Sequence, residues 1–350
     1  MSVLVPLGGL DRDELVARLS KLGEPAYRAD QLLQWFCRRR ALSFDGMSNL
    51  PAALRKRLAG MLRLFSTELA ETRTDVDGTV KLVLALADGH TIESVMIPEG
   101  ARRTGCLSTQ VGCPVRCRFC ASGARGLERN LDTAEIVEQA LHLARTLPAD
   151  EHLTHIVFMG IGEGLLNLKS LVKAIRILNA PWATHLGARR MTVSTVGIPG
   201  TISALAEIGL QVNLAISLHA PNDALRARLI PYKNLARVDD LIDAAEDFYL
   251  ATGREVTFEY VMLSGVNDSP QLADELARKI KPCHATVNLI PYNEVEGAGY
   301  QTASSDAVKA FRRVLEAKEV RVTSRRRHGT GVRAACGQLR LDAWKRHPHG

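Results

Sequence analysis

Across residues 105–323 the apolar positions switch repeatedly between two periods. Short solid or alternating apolar runs predict strands at 106–110, 155–159, 191–195, 212–217, 256–262, 286–290 and 320–323. Between them apolar residues recur every three or four positions, which predicts helices near 133–146, 171–179, 201–208, 238–251, 271–280 and 306–318. Several strands lack polar alternation, as parallel strands covered on both faces do. The alternation predicts an α/β fold, a parallel β/α barrel or partial barrel of TIM type, with its chemistry at the strand C-termini. The polar positions there are Cys113–Cys120, Gly160–Gly164, Ser194, Ser217-Leu218-His219, Glu259 and Asn293.

Upstream the pattern differs. Residues 11–62 read as a small helical unit: one helix from Asp11 with acids in its first turn, a second from Tyr27, and a third opened by Pro51 with Leu54, Leu58 and Leu62 on one face. Cys37 reads as a small core residue. Asp77-Gly78 and Asp88-Gly89 are turn signals that frame two strands, 79–86 and 90–97. The expected organisation is a helical accessory domain at 1–64, a β-hairpin extension at 65–98, the barrel at 99–335 and a tail at 336–350. Within the hairpin, Glu93 reads at first as an edge-facing surface carboxylate.

Composition narrows the class. The net charge of +7 suggests an anionic partner, with nucleic acid as the leading candidate. Arginines cluster at Arg38-Arg39-Arg40, Arg102-Arg103, Arg189-Arg190 and Arg325-Arg326-Arg327. A basic helical unit would suit folded RNA, gripped by shape and phosphate. Seven cysteines with no secretory signal predict a reducing compartment, the cytoplasm. No apolar run reaches the roughly 18 residues of a membrane span.

Cys113, Cys117 and Cys120 stand as C-x3-C-x2-C, with Cys106 seven residues upstream. Soft sulfur ligands this close invite a metal. Structural zinc takes four ligands, and no second cysteine or histidine pair lies at zinc spacing nearby. Three cysteines leave one iron of a [4Fe–4S] cluster open, free to chelate S-adenosylmethionine (SAM) and pass it an electron. The spacing is the radical-SAM signature.

Other blocks carry a closer likeness. They include Gly23-Glu24-Pro25-Ala26-Tyr27-Arg28, Ile216-Ser217-Leu218-His219-Ala220-Pro221-Asn222-Asp223, Phe258-Glu259-Tyr260-Val261, Asn288-Leu289-Ile290-Pro291-Tyr292-Asn293 and Ala334-Ala335-Cys336-Gly337-Gln338-Leu339. On these the chain resembles the RlmN/Cfr radical-SAM RNA methyltransferases over nearly its whole length. The resemblance implies that Cys336 takes a methyl from one SAM. A radical made from a second SAM then abstracts hydrogen from that methyl group. The resulting carbon radical adds to an adenine, and Cys106 attacks Cys336 to release the methylated RNA, leaving a transient disulfide. A thiolate there would be favoured by cationic surroundings. Glu93 becomes the proton acceptor, replacing the surface reading.

By position, the SAM contacts would be Gly162, Glu163, Ser194, Ser217, Leu218, His219 and Asn293, and the cluster ligands Cys113, Cys117 and Cys120. The implied substrate is carbon 2 of an adenosine in 23S rRNA, with the adenosine beside the tRNA anticodon as a second target and carbon 8 as the alternative position. A monomer and a flavodoxin- or ferredoxin-type electron donor are expected. Gly164 stands where the family has proline, which predicts a more mobile loop. Residues 329–333 lack the family's acids, and Ser194-Thr195-Val196-Gly197 replaces a Ser-Thr-Ser-Gly-like segment.

Overall fold

The computed structural model describes residues 4–325 and 327–339. Arg326 of the last basic triplet and the tail from residue 340 lie outside the described residues. Strand β1 (Val5–Pro6) leads to helix α1 (Arg12–Ser20). There the Asp11 side chain accepts from Glu14 N, and Glu14 reaches back to Asp11 N, a reciprocal cap. Helix α2 (Tyr27–Cys37) buries Ala29, Leu32, Leu33, Phe36 and Cys37 on one face. Helix α3 (Ala52–Ala59) ends at Gly60. Leu62 is therefore not on that helix: it lies in β2 (Leu62–Arg63), which pairs in parallel with β1.

Two arginines of the first basic triplet tie this unit to the barrel. Arg38 donates to the carbonyls of Ala183 (3.0 Å) and Pro181, and Arg40 to those of Leu147 (3.0 Å) and Glu151. Arg39 instead lies over the Trp35 ring at 4.5 Å. The joint itself is polar and buried. Glu138 is fully buried and accepts from Ser66 N and Thr67 N, both at 2.8 Å, while His142 Nε2 meets Thr67 Oγ1 at 3.0 Å. Burial pushes Glu138 up to about 7 and His142 down to about 4.

The expected hairpin is a three-stranded meander: β3 (Glu68–Thr74), β4 (Val80–Ala85) and β5 (Thr91–Glu99), all antiparallel. It is not a separate extension. β5 pairs antiparallel with β6 (Arg102–Cys106), the first barrel strand, so the meander continues the barrel sheet. The expected 106–110 strand divides at this point. Gln110 belongs to β7 (Gln110–Gly112), which pairs with β8 (Leu127–Asn130) in a small antiparallel ladder.

The barrel repeat then runs α4 (Thr133–Arg145), β9 (His155–Phe158), α5 (Leu168–Asn179), β10 (Met191–Thr195), α6 (Thr201–Ala206) and β11 (Asn213–Ser217). It continues with α7 (Asp223–Leu229), α8 (Val238–Thr252), β12 (Val256–Met262), α9 (Pro270–Ile280), β13 (Ala285–Pro291), α10 (Ser305–Ala317) and β14 (Arg321–Ser324). The sheet order is β14-β13-β12-β11-β10-β9-β6-β5-β4-β3, parallel from β14 to β6. It is open, with β3 and β14 as its edges. Strands β5, β6 and β9–β14 all line one cavity, so the sheet curls into a partial barrel. Among the described residues no helix is long and apolar enough to cross a membrane.

Candidate functional site

Immediately after β7 the chain turns sharply to bring its thiols together. Arg116 adopts φ 57°, and a Cβ on Gly123 would lie 2.6 Å from Arg116 Cα, so only glycine permits the fold-back. Cys113, Cys117 and Cys120 then line a cavity of about 170 Å³. The same cavity receives Cys106, Gly162, Glu163, Ser194, Ser217, His219, Asn293 and Cys336. Burial pushes the Cys113 thiol up to about 12 and Cys117 well above its ordinary value, and the nearby Cys120 and Glu163 raise both further. A metal would reverse that direction by binding the thiolates. Among the described residues no three His, Cys, Asp or Glu side chains converge closely enough for a single ion. Three thiols lining one cavity are the donor set of an iron–sulfur cluster, whose cysteines sit on separate irons.

Opposite the thiols are two buried acceptors. Glu163 Oε2 accepts from Val196 N at 2.9 Å, while Oε1 has no hydrogen-bond partner among the described residues. Asn293 Oδ1 is likewise unpartnered, although Asn293 Nδ2 donates to the Cys336 carbonyl at 3.2 Å. Buried acceptors of this kind call for a donor such as a ligand ammonium. Burial pushes Glu163 up to about 7. Gly162 has φ 114°, and a Cβ there would sit 2.7 Å from Gln110 Cβ. Gln110 Oε1 in turn accepts from Glu163 N at 2.8 Å.

The loop after Gly164 is anchored by hydrogen bonds from Asn167. Gly164 starts a buried 3-10 turn (Gly164–Asn167), and Asn167 donates to the carbonyls of Thr109 (2.9 Å) and Leu131 (2.7 Å). His219 has φ 60°, and its Nδ1 accepts from Val261 N at 3.1 Å, which leaves the ring proton on Nε2. Burial drives His219 down to about 3, so the ring is neutral, edge-on to Phe119 at 4.8 Å. Leu218 does not line the cavity. Its side chain is fully buried in the main core.

Behind Leu218 lies a residue the sequence reading missed. Arg226, on α7, is 1% exposed and donates to the carbonyls of Leu218 (3.1 Å), Ala236 (2.8 Å) and Val196. It gathers the loops after β10 and β11 with the start of α8. The available signal was an arginine between Leu225 and Leu229, inside the apolar stripe of a short helix capped by Asn222.

The terminal loop reaches the cavity from the far side. Ala121 N donates to the Gly337 carbonyl at 2.7 Å, and Gln338 Nε2 to the Glu294 carbonyl at 3.0 Å. Upstream, Asp77 accepts from Gly329 N (3.0 Å) and Asp75 from Gly331 N (2.9 Å). Two carboxylates of the turn before β4 thus hold the backbone at Gly329 and Gly331. Cys336 is exposed to the cavity, and Cys106 at the end of β6 lines it too. Cationic surroundings do not dominate these thiols. Burial pushes Cys106 up to about 12, against the opposing pull of Arg325.

Glu93 is fully buried, the reverse of a surface carboxylate, and faces the Lys81 ammonium at 3.2 Å. Lys81 also donates to the Arg333 carbonyl at 3.2 Å, and so links Glu93 to the terminal loop. Glu93 lines neither this cavity nor a larger one beside it. That second chamber, about 540 Å³, occupies the barrel interior and shares Glu259, Asn293, Arg325 and Cys336 with the first.

Comparison with known proteins agrees with this geometry. Residues 107–276 match the Radical SAM superfamily, and residues 5–64 match the ribosomal RNA large subunit methyltransferase N-terminal domain. The chain is 43% identical over 349 residues to the dual-specificity RNA methyltransferase RlmN of Nitratidesulfovibrio vulgaris, covering 97% of this chain and 95% of that one. The crystal structure of a radical SAM methyltransferase from Sphaerobacter thermophilus superposes with a TM-score of 0.92 at 42% identity, over 96% of this chain and 99% of the other.

Proposed function

The chain belongs to the RlmN family of radical SAM dual-specificity RNA methyltransferases, and on that premise we propose that it methylates carbon 2 of an adenosine in 23S rRNA, and of the adenosine beside the tRNA anticodon, through Cys336. The observation that carries this reading is the opening of Cys336 onto the same cavity as Cys113, Cys117 and Cys120. Carbon 2 of adenine is not nucleophilic, so a methyl carrier beside a radical source answers a specific chemical need.

Membership of the radical SAM superfamily implies a [4Fe–4S] cluster and SAM. When bound, they supply one-electron cleavage of SAM to a carbon radical, which no side chain provides. In our reading Cys113, Cys117 and Cys120 would hold the cluster, and SAM would bind beside it in the same cavity. Glu163 Oε1 and Asn293 Oδ1, buried acceptors otherwise unmet, take the polar end of SAM. Ser194, Ser217 and the neutral His219 complete that wall, and Leu218 contributes through its place in the loop. Cys336 carries the methyl group. Cys106 resolves the protein–RNA link, and its thiol, raised by burial against the opposing pull of Arg325, must first lose a proton. Glu93, which lines neither chamber, is the final proton acceptor in this reading, receiving the adenine proton through intervening groups rather than directly, with Lys81 at 3.2 Å as its ion-pair partner.

RNA is the partner, together with a small flavodoxin- or ferredoxin-type reductant. The test is anaerobic reconstitution with iron, sulfide, SAM and reductant, followed by nucleoside analysis of treated 23S rRNA and tRNA. A 2-methyladenosine product that disappears in Cys336→Ala is expected. An 8-methyl product would move the chain to the other branch, and methylation that survives Cys336→Ala would end the reading.

A further inference from the structure

The larger chamber is unusual for a barrel interior, which is normally filled by branched apolar side chains. Here inward positions carry Thr104, Thr192, Thr257, Asn288 and Thr323 around about 540 Å³, and none of the roles above uses them. One level of the sheet is organised. Ser217, Glu259, Asn288 and Thr323 occupy directly paired register positions on β11, β12, β13 and β14. Thr323 Oγ1 donates to Asn288 Oδ1 at 2.9 Å, and Asn288 Nδ2 donates to Glu259 Oε2 at 2.8 Å. The relay fixes the amide and orients the carboxyl group, which is 6% exposed and lines both chambers beside Cys336.

We propose that this chamber is the pocket for the target nucleobase, and that Glu259, held by Asn288, accepts a hydrogen bond from the exocyclic amine and thereby selects an aminopurine. The inference rests on the RNA-adenine reading above and deepens it. A base that reacts at Cys336 has two approaches. The apolar chamber is walled by the thiol trio and the SAM-facing acceptors, which leaves the polar one. Its volume suits a nucleoside turned out of its stack. A fixed carboxyl acceptor meets the amine of adenine and repels the carbonyl oxygen that guanine carries at the same position.

The experiment compares two RNAs of identical sequence, one with adenosine and one with purine riboside, which lacks the amine, at the modified position. Wild type is expected to lose about 10- to 100-fold in kcat/KM on the purine RNA. Glu259→Ala should lose a similar factor on adenosine RNA and treat the two RNAs alike. Glu259→Gln, which keeps an acceptor oxygen, should regain part of the preference. SAM binding, read separately, reports whether each variant is folded. If the alanine variant fails that check, the glutamine variant decides by whether the preference shrinks. The proposal is overturned if wild type ignores the amine, or if the variants keep the wild-type preference undiminished. An absence of methylation of either RNA by wild type would instead refute the functional reading.

Discussion

Replacing Arg226 with methionine removes a buried cation that holds three loops through their carbonyls. The carbonyls of Leu218, Ala236 and Val196 each lose a charge-assisted donor. Leaving a buried carbonyl unmet costs about 1–3 kcal/mol. Three such losses come to about 3–9 kcal/mol, and no longer burying the guanidinium returns several kcal/mol of that. A net destabilisation of about 3 kcal/mol is expected. It is concentrated in the loops that carry Ser217, Leu218 and His219 and the turn after Ser194, so SAM affinity should fall about 10- to 100-fold. Arg226→Lys should fall between the two, because an ammonium keeps the charge but cannot span three carbonyls in one plane. Urea unfolding and calorimetric titration with SAM on the anaerobically reconstituted protein are the assays. If Arg226→Met unfolds at the wild-type midpoint and binds SAM with wild-type affinity, the loop-gathering role is wrong.

Three further outcomes follow from the geometry. Gly162→Ala forces a side chain onto φ 114° and within 2.7 Å of Gln110 Cβ, so it should cost about 2 kcal/mol or more and weaken SAM binding, measured by the same titration. His142 is held neutral at about 4 in the fold against 6.5 unfolded, so its contribution is present above pH 6.5 and lost as pH falls toward 4, by about 3 kcal/mol. The raised Glu138 has the opposite sign, its contribution being lost as pH rises from 4.5 toward 7. His142→Phe should therefore flatten only the acid-side loss in a stability-against-pH series. Arg40→Ala frees the carbonyls of Leu147 and Glu151 and should speed amide exchange in α1–α3 while the barrel strands stay protected, as hydrogen-exchange mass spectrometry would show.

The periodic strands and helices were legible because apolar runs and apolar spacing are local signals, and most boundaries of the repeat fall within a few residues of the pattern. What the pattern hid was of three kinds. Edge strand β3 is largely exposed, so it carries no apolar signature. The short α7 has an arginine inside its apolar stripe. The 106–110 run divided because β6 and β7 pair with different partners, a fact that only long-range contacts contain. The basic triplet at 38–40 looked like a phosphate grip, and its charge count was right, but two of its guanidinium groups point at the barrel.

By itself the sequence determined the β/α repeat, the thiol trio and the family, because each is written in spacing along the chain. The tertiary structure decided what the spacing leaves open: that Cys106 and Cys336, 230 positions apart, share one cavity, and that Glu93 is buried against Lys81. It also decided that a polar row crosses four strands beside the Cys336 thiol. Those relations depend on which strands become neighbours and how far the sheet curls, and no local run of residues encodes either.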